Sequence, residues 1–391
     1  MRIAVVSNTC WYLFNFRLNL MLALQAAGHT VIAVAPSDAY AQRIRDAGIV
    51  FEAVPISGGG TQPLRELQSV LRLGAVFRRN RVGLVLSYTP KGNLYSALAC
   101  IALRIVFVPN VSGLGRVFIR KSLVTQVAKA LYRLTFGRAH RVYFQNLDDM
   151  GVFVSSGLVQ KAKAERLPGS GVDLVRFLPM PPVARPADQP VFLLVARMLW
   201  DKGVGEYVQA ARAVRVIHPG ARFQLLGFLD VANPSAVPRA DVEAWVAEGV
   251  VEYLGPTDDV RPYLEQADCV VLPSYREGVP RTLLEAAAMA RPVITTDAPG
   301  CRDTVVDGET GFLCRTADAD DLAEKILRFI AMTPDARLAM GQQGRTFMEQ
   351  NFDEQLVIRS YLKMVDKLQV PNAVQLAADR IRIVKLNRTS N

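Results

Sequence analysis

The chain has 391 residues, of which 50% are hydrophobic and 21% are charged, and its formal net charge at neutral pH is +10. This length exceeds what a single hydrophobic core usually serves, so two domains are expected, and the composition argues against an intrinsically disordered chain. The five cysteines are widely spaced and form no C-x-x-C pair, which argues against a disulfide framework or a structural zinc site.

The positive charge is concentrated in one part of the sequence. No Asp or Glu occurs between Glu66 and Asp148, although Arg and Lys are frequent there. Such one-sided charge creates a positive field that favours an anionic partner, whether a phosphorylated substrate, a lipid surface or a nucleic acid. The alternative is a solvated basic surface with no partner.

The first residues and the longest apolar stretch bear on the compartment. Arg2 precedes a short apolar run that predicts a strand, and neither a long apolar segment nor a small-residue cleavage site follows. The longest apolar stretch, Leu94 to Val108, is short for a membrane span and contains Arg104. We therefore expect no signal peptide, no transmembrane helix and a cytosolic protein.

The first half of the chain alternates between strand-like and helix-like segments. Apolar runs of strand length are separated by segments of helical length and periodicity. The predicted strands are IAVVSN, TVIAVAP, VFEAVPI, GLVLSY, RIVFVPN and RVYFQN. Strands in this rhythm predict βαβ units and a parallel sheet.

A proline-rich segment divides the chain. Between Pro179 and Pro190 the sequence PMPPVARPADQP excludes a helix interior and a central strand, so we place the domain linker there. A second series of strands follows, at VFLLVARM, RFQLLGF, VVEYLG, DCVVLPS and RPVITTD. The sequence thus predicts an α/β protein of two Rossmann-like domains, with a cleft between them at the carboxyl ends of both sheets.

The domain boundaries follow from these patterns. An N-terminal domain is expected over residues 1–178 and a C-terminal domain over residues 190–351. From Asp318 the pattern becomes helical, and its last helix, about 352–369, is expected to cross back onto the first domain. Residues 370–391 form a basic tail to which no function is assigned.

Two cations follow the first strand of the second domain, in the segment VARMLWDKGV. Arg197 comes at the end of the strand, and Lys202 precedes the next helix. Two cations at the carboxyl edge of a sheet would neutralise a nucleotide diphosphate and stabilise the charge that develops as it leaves. The alternative is a pair of surface cations beside a loop glycine.

The segment from Asp268 to Asp297 is the most informative part of the sequence. Glu277 lies on a loop after an apolar strand, and Glu285 lies about a turn and a half into a helix that begins near Pro280. The free backbone N–H groups at the start of this helix predict a phosphate cradle. The predicted donor-binding residues are Gly278, Val279, Pro280, Arg281, Thr282, Leu283 and Glu285.

The pattern from Glu277 to Glu285 resembles the E-x7-E motif of the retaining GT-B glycosyltransferases of family four. Gly-Val-Pro follows the first acid, and Gly300 and the run DGETGFL come later in the family's order. The resemblance implies the GT-B arrangement of the two domains. It also implies that Glu277, Arg197 and Lys202 are the catalytic residues, with Glu277 on the donor sugar, the two cations on the pyrophosphate and Glu285 on the ribose.

No metal site and no cofactor are predicted. Members of the resembling family need no bound metal, and the nucleotide sugar is a substrate. The acidic pairs Asp148-Asp149 and Asp258-Asp259 come at the starts of predicted helices, so we interpret them as helix caps rather than metal ligands.

The first domain resembles a subgroup of this family that acts on lipid-linked bacterial glycans. It lacks the glycine pair that many relatives place after the first strand, and the segment Asn15-Phe16-Arg17 is expected at that loop and helix start. The resemblance implies that cations in the cleft loops meet the acceptor's phosphates, the alternative being loop residues that serve solubility. The predicted acceptor-binding residues are Asn15, Arg17, Lys91, Asn93, Ser112, Gly113 and Arg116.

The sequence therefore predicts a retaining glycosyltransferase that transfers a hexose from a nucleotide sugar, with UDP as the expected nucleotide. The expected acceptor is a lipid-linked or lipid A-linked glycan at the inner face of the cytoplasmic membrane, in lipopolysaccharide, O-antigen or capsule biosynthesis. Peripheral docking through the basic region is expected, and nucleic-acid binding is not. The apolar residues expected to contact the membrane are Val117, Phe118, Leu123, Leu131 and Leu134.

Two alternatives remain open at this point. A sugar-nucleotide epimerase or a phosphorylase on the same scaffold would share the nucleotide site, although no lysine for a phosphorylase cofactor is identified. A non-enzymatic protein that binds anionic lipid or nucleic acid would use the basic region alone.

Overall fold

The computed structural model of the protein describes residues 1–56, 62–114, 123–181, 183, 185–186 and 188–368. Arg116, which the sequence predicts to bind the acceptor, lies outside the described residues, as do Val117, Phe118 and the tail 370–391. The side chain of Leu123 is also outside them.

The N-terminal domain is built on a parallel sheet. Its described strands are β1 (Arg2–Val6), β2 (Thr30–Ala35), β3 (Val50–Ala53), β4 (Leu84–Tyr88), β5 (Val106–Val111), β6 (Val142–Phe144) and β7 (Ala164–Arg166). They pair in the order β3-β2-β1-β4-β5-β6-β7. The near-continuous apolar runs of the sequence are explained by burial on both faces, which a parallel sheet covered by helices requires.

Helices cover both faces of this sheet. They are α1 (Cys10–Ala26), α2 (Tyr40–Asp46), α3 (Pro63–Arg79), α4 (Pro90–Leu103), α5 (Leu123–Phe136) and α6 (Leu147–Ser155). Alternate residues of β1 point to opposite faces of the sheet. Ala4 and Val6 pack with α3 to α6, while Ile3 and Val5 pack with α1 and α2. None of the helices in the described residues combines the length and apolar content that crossing a membrane would require.

The C-terminal domain repeats the same plan. Its described strands are β8 (Val191–Val195), β9 (Arg222–Leu226), β10 (Glu252–Tyr253), β11 (Cys269–Leu272), β12 (Val293–Thr296) and β13 (Gly311–Cys314), paired in the order β10-β9-β8-β11-β12-β13. Its helices are α7 (Val204–Ile217), α8 (Arg239–Ala247), α9 (Arg261–Gln266), α10 (Arg281–Ala288), α11 (Ala319–Ile330) and α12 (Pro334–Asn351).

A last helix, α13, spans residues 354–368 and belongs to the core of the N-terminal domain. Its apolar face, which includes Val357, Tyr361 and Val365, packs with Ile3 and Leu24 in one buried cluster. The chain crosses between the domains just before it, where the carbonyl of Phe352 accepts a hydrogen bond from Val172 at 2.8 Å. The predicted fold of two Rossmann-like domains with a helix crossing back is therefore confirmed.

The topology of the two sheets indicates where a ligand would bind. In each sheet the strand order reverses once, between β1 and β4 in the first domain and between β8 and β11 in the second. Loops that leave the carboxyl ends of such strands diverge and leave a crevice. The residues that the sequence singles out lie after β1, β4 and β5 on one side and after β8 and β11 on the other.

Candidate active site

The loops after β8 and β11 bring two of the predicted catalytic residues together. Lys202 ends a short 3-10 helix (Trp200–Lys202), and Glu277 lies on the loop after β11. Lys202 Nζ forms an ion pair with Glu277 Oε1, and the Ser274 hydroxyl donates to the same oxygen at 2.6 Å. The Lys202 and Glu277 side chains are 20% and 14% exposed, so the pair is shielded while it keeps contact with solvent.

These two loops pack so closely that a side chain would not fit between them. Gly203, which follows the 3-10 helix, has a φ of +73°, and a Cβ atom there would lie 2.1 Å from the carbonyl oxygen of Pro273. The Tyr275 amide donates to the carbonyl of Asp201 at 3.0 Å. The glycine therefore allows the approach that joins Lys202 to Glu277.

Glu285 also has a cationic partner, on its own helix. Arg281 Nε donates to Glu285 Oε1 at 2.9 Å, and the two side chains are 13% and 14% exposed. Burial raises the pKa of Glu285 above its usual value, and the charge of Arg281 offsets only part of this effect. Hydrogen bonds from a bound diol would stabilise this carboxylate, because the protein itself solvates it poorly.

The start of α10 offers a smaller cradle than the sequence predicts. Pro280 is the N-cap residue, and its carbonyl accepts a hydrogen bond from the Leu283 amide at 3.1 Å. The Leu283 side chain is fully buried in the domain core. Leu283 therefore offers a ligand neither its amide nor its side chain, whereas Thr282 fixes the helix start by donating to the carbonyl of Val195 at 3.2 Å.

Arg197 differs from the other predicted catalytic residues. It lies two residues beyond β8, and its side chain is exposed. Within the part of the chain that the structure describes, it forms no hydrogen bond or ion pair. Its guanidinium is therefore available for an anionic ligand in the cleft.

A cavity of about 180 Å³ lies between the domains beside Arg281. Residues of α1 line one side, and the loop after β7 and the start of α13 line the other. Asn19 joins these sides, since its Nδ2 donates to Asp173 Oδ2 at 3.2 Å and to Glu354 Oε1 at 2.7 Å. Arg281 reaches the same region, with its guanidinium 5.2 Å from the centre of the Phe16 ring.

Asp149 and Asp258 are not the helix caps that the sequence predicts, whereas Asp259 accepts the Arg261 amide at 3.1 Å at the start of α9. Asn146 caps α6, and Asp149 is fully buried in an ion pair with Arg276, beside Glu277. Asp258 accepts hydrogen bonds from two N-terminal residues instead of capping α9, from the Tyr40 hydroxyl at 2.6 Å and Arg43 Nη2 at 2.8 Å. Both acids thus bridge the two domains, which sequence spacing alone does not reveal.

Two predicted acceptor residues are buried in the first domain. Arg17 lies within α1 rather than in a loop, is 1% exposed, and stacks on the Tyr88 ring at 4.2 Å. Asn93 is 2% exposed and bonds to Ser87 and Asn110, which in turn donates to the Tyr361 hydroxyl of α13. The expected loop at Asn15 to Arg17 is thus wrong, because α1 already begins at Cys10.

The remaining described acceptor residues lie nearer the surface. Lys91, at the start of α4, forms an ion pair with Glu66 of α3 at 3.0 Å. Asn15 is half-buried and donates to the carbonyl of Trp11 at 2.9 Å. Ser112 and Gly113 follow β5 and contact the loop that carries Glu277.

No three His, Cys, Asp or Glu side chains among the described residues lie close enough together to hold a metal ion. Among the predicted site residues, the cations near the donor-side loops are Arg197, Lys202 and Arg281.

Comparison with known families matches both domains. Residues 189–332 match the family described as "Glycosyl transferases group 1", and residues 16–168 match the family described as "Glycosyl transferase 4-like domain". The two matched regions lie one in each Rossmann-like domain, and they leave out residues 1–15, the linker, α12 and α13.

Individual relatives agree with this result. The chain is 29% identical over 384 residues to the N,N'-diacetylbacillosaminyl-diphospho-undecaprenol alpha-1,3-N-acetylgalactosaminyltransferase of Campylobacter jejuni, covering 94% of this chain and 99% of that protein. It is 26% identical over 312 residues to the capsular polysaccharide biosynthesis glycosyltransferase CapM of Staphylococcus aureus, covering 75% and 78% of the two chains.

A solved structure shares the fold. The crystal structure of Anabaena HepE in complex with UDP-glucose superposes with a TM-score of 0.76 at 18% identity, covering 94% of this chain and all of that one. Both domain families, the near full-length relative and the shared fold lead to one conclusion. The chain is a glycosyltransferase of the GT-B fold, and each of its two domains matches a glycosyltransferase family.

Proposed function

We propose that this glycosyltransferase is a retaining hexosyltransferase that uses a UDP-linked sugar. The observation that carries the proposal is the pair of carboxylates held by cations at the donor-side edge, Glu277 by Lys202 and Glu285 by Arg281. Each carboxylate is fixed and partly shielded, which suits it to accept hydrogen bonds from hydroxyl groups. The structure of HepE with UDP-glucose supports UDP as the nucleotide.

Each group then has a role in holding the donor. Glu285 accepts hydrogen bonds from the ribose hydroxyls, and Glu277 accepts them from the sugar. Arg197 and Lys202 balance the charge of the diphosphate, which grows as the bond to the sugar breaks. The amides before Leu283 at the start of α10 add a positive dipole at the same place.

The way in which Glu277 is held supports retention of configuration. Its Oε1 already receives hydrogen bonds from Lys202 and Ser274, so this oxygen is engaged by the protein and is not free to take a proton from the acceptor hydroxyl. The acceptor hydroxyl attacks the anomeric carbon from the face that the diphosphate leaves, and its proton passes to the departing phosphate oxygen. NMR of the product's anomeric proton tests this, since an inverted centre would contradict it.

We also propose that no metal ion or cofactor takes part. The positive charges of Arg197 and Lys202 take the place that a divalent cation would have at the diphosphate. Transfer should therefore persist in EDTA. A loss of activity that Mg²⁺ or Mn²⁺ restores would contradict the proposal.

The proposed acceptor is a lipid-linked glycan of lipopolysaccharide, O-antigen or capsule assembly. The Campylobacter relative is named for a diphospho-undecaprenol acceptor, and the Staphylococcus relative for capsule biosynthesis. Lys91 supports an anionic acceptor, because it lies on the side of the cleft that the N-terminal domain forms, where its ammonium would meet a phosphate. We propose no nucleic-acid ligand.

Peripheral contact with the membrane is part of this proposal. On α3 three leucines, Leu64, Leu67 and Leu71, share one face and are 78%, 55% and 63% exposed. Arg65 and Arg72 are exposed on the same helix beside this face, so α3 presents both apolar and basic groups as membrane-surface helices do. Of the residues expected from the sequence, Leu134 is exposed, whereas Leu131 packs against the core.

Vesicle flotation tests the membrane contact. Vesicles of phosphatidylglycerol should bind the protein better than vesicles of phosphatidylcholine, and replacing the three leucines of α3 by Gln should release it. The matched control replaces Val216 and Ile217, which are 85% and 61% exposed on α7 of the other domain, by Gln. Equal binding of both variants would show that α3 is not the contact.

A thermal-shift screen tests the donor. UDP-glucose, UDP-N-acetylgalactosamine and GDP-mannose are compared on the wild type and on Glu285→Ala. We expect a UDP sugar to stabilise the wild type alone. The control Glu248→Ala removes a carboxylate that is bonded to Arg212 in the same domain, away from the cleft, and should respond as the wild type does. If no UDP sugar stabilises the wild type, the proposed donor is wrong.

A further inference from the structure

The loop that carries Glu277 is held from the opposite domain. Asn146, which is fully buried at the start of α6, donates through Nδ2 to the carbonyls of Glu277 at 3.2 Å and Gly278 at 2.8 Å. Its Oδ1 accepts the Asp149 amide at 2.8 Å and so caps α6. One side chain therefore ends a helix of the first domain and binds a loop of the second.

An ion pair repeats this contact one residue earlier on the loop. Arg276 Nη2 binds Asp149 Oδ1, and the Asp149 side chain is fully buried. A buried carboxylate that loses its cation is strongly disfavoured, so this pair favours the state in which the two domains touch. Asn146 and Asp149 thus grip consecutive residues of the loop, Arg276 to Gly278.

The backbones are shaped for the same contact. A Cβ atom on Gly278 would lie 2.4 Å from the carbonyl oxygen of Ser112, which follows β5 of the first domain. From the other side, a Cβ on Gly300 would lie 2.3 Å from the carbonyl oxygen of Glu277. The loop is therefore enclosed between the two domains, with glycine where each approach is closest.

We infer that Asn146 and the Asp149–Arg276 ion pair are positioning residues that hold Glu277 in its sugar-binding geometry, and that they do so only while the domains are in contact. The inference rests on the proposed function, in which Glu277 binds the donor sugar. Neither Asn146 nor Asp149 is among the residues proposed to bind the donor. Glu285 and Arg197 lie outside the loop, so the nucleotide is bound without this contact, whereas the grip on the sugar depends on it.

The test separates the two roles of Asn146. Asn146→Ser keeps a side-chain oxygen that caps a helix well but is too short to reach the carbonyls of the loop. Thr333→Ala is the matched control, because it removes the cap of α12 and touches no residue of the loop. Calorimetry measures the affinity of each variant for UDP, UDP-glucose and UDP-N-acetylgalactosamine, and hydrogen exchange measures the amides of residues 275–280.

The expected result is specific to the sugar. In Asn146→Ser the affinity for UDP should stay within about twofold, while the extra affinity for a UDP sugar should fall about tenfold, which corresponds to about 1.4 kcal/mol. Amides 275–280 should exchange faster in Asn146→Ser and unchanged in Thr333→Ala. Unchanged exchange and unchanged sugar affinity in Asn146→Ser would overturn the inference.

Glu277→Gln distinguishes this failure from a failure of the proposed function. If Glu277→Gln weakens the UDP sugar and Asn146→Ser does not, the sugar site stands and the positioning role falls. If Glu277→Gln binds the UDP sugar as the wild type does, the proposed role of Glu277 falls. The exchange of residues 275–280 then decides by itself whether Asn146 holds the loop.

Discussion

The two sheet edges that face each other across the cleft have the same topology but use their polar residues differently. At the C-terminal edge, Lys202, Glu277 and Glu285 form paired charges that keep some contact with solvent. At the N-terminal edge, Arg17 and Asn93 are almost fully buried and bond to neighbours of their own domain. The comparison shows that position at a switch point does not by itself make a residue a ligand. Burial and the partners of each side chain separate binding from scaffold.

The largest expected effect tests the donor edge. Arg197→Ala and Lys202→Ala should each lower kcat by about two to three orders of magnitude, because each removes a charge that stabilises the leaving diphosphate. The midpoint of unfolding should change little for Arg197→Ala, since its side chain is exposed. Release of UDP during transfer measures the rate. Arg212→Ala, in an exposed ion pair of the same domain, is the control. A wild-type rate in Arg197→Ala would contradict the binding role that the comparison gives to the C-terminal edge.

The next largest effect tests whether the polar residues at the N-terminal sheet edge have a structural role. Asn93→Ala removes hydrogen bonds to Ser87 and to the carbonyl of Asn110 and should lower the free energy of unfolding by about 1–3 kcal/mol. The affinity for UDP should not change, because the loss is confined to the first domain. Urea unfolding and calorimetry measure the two quantities. A stable Asn93→Ala protein with weakened acceptor use would instead make Asn93 a ligand.

A smaller effect is expected for Lys91, which forms an ion pair within the first domain and is also proposed to bind the acceptor's phosphate. Its ion pair with Glu66 is partly exposed, so Lys91→Ala should cost less than about 1 kcal/mol of stability. If its ammonium meets the acceptor's phosphate, the KM for a lipid-linked acceptor should rise several-fold while the KM for the donor stays the same. Glu66→Gln, which removes this ion pair but keeps Lys91, should not raise the acceptor KM. Equal rises in both variants would assign the pair to structure.

The smallest expected effect is the pH dependence of stability that Glu285 of the donor edge causes. Burial raises the pKa of Glu285 above its usual value of 4.5, so ionisation of this carboxyl costs stability in the free enzyme at neutral pH. Glu285→Gln should therefore unfold at a slightly higher temperature than the wild type at pH 7. The difference should shrink as the pH falls through the raised pKa and vanish below 4.5, where the carboxyl is protonated in both the folded and the unfolded chain. Melting curves across this range measure it, and a lower midpoint for Glu285→Gln at pH 7 would contradict the assignment.

The sequence is sufficient for most of the fold and for the donor edge. The apolar runs become buried parallel strands because their periodicity and length report burial on both faces. The proximity of Lys202 and Glu277 could be predicted because each follows a strand that ends at the same edge of one sheet, and Glu285 follows Glu277 at the fixed spacing of the motif. Ser274, the third member of the Glu277 cluster, was missed, since a serine after a strand is too common to indicate a site.

The acceptor edge and the domain contacts were harder to predict. Arg17 carries a charge, and a charge at a sheet edge indicates exposure, yet aromatic rings and a tyrosine hydroxyl enclose it. Asp149 and Asp258 have the spacing of helix caps, but their partners are Arg276 and Arg43 of the opposite domains. Contacts between residues more than a hundred positions apart leave no local pattern in a single sequence.

The return of α13 to the first domain has a consequence for how the molecule is made. The buried cluster that holds Ile3 and Leu24 also needs Tyr361 and Val365, which leave the ribosome only after the whole second domain has been synthesised. The N-terminal domain therefore stays incomplete, with an apolar face exposed, while the C-terminal domain folds. Cutting the chain at the linker would separate two sheets but would not yield two finished domains, so the order of synthesis makes the first domain the last to be completed.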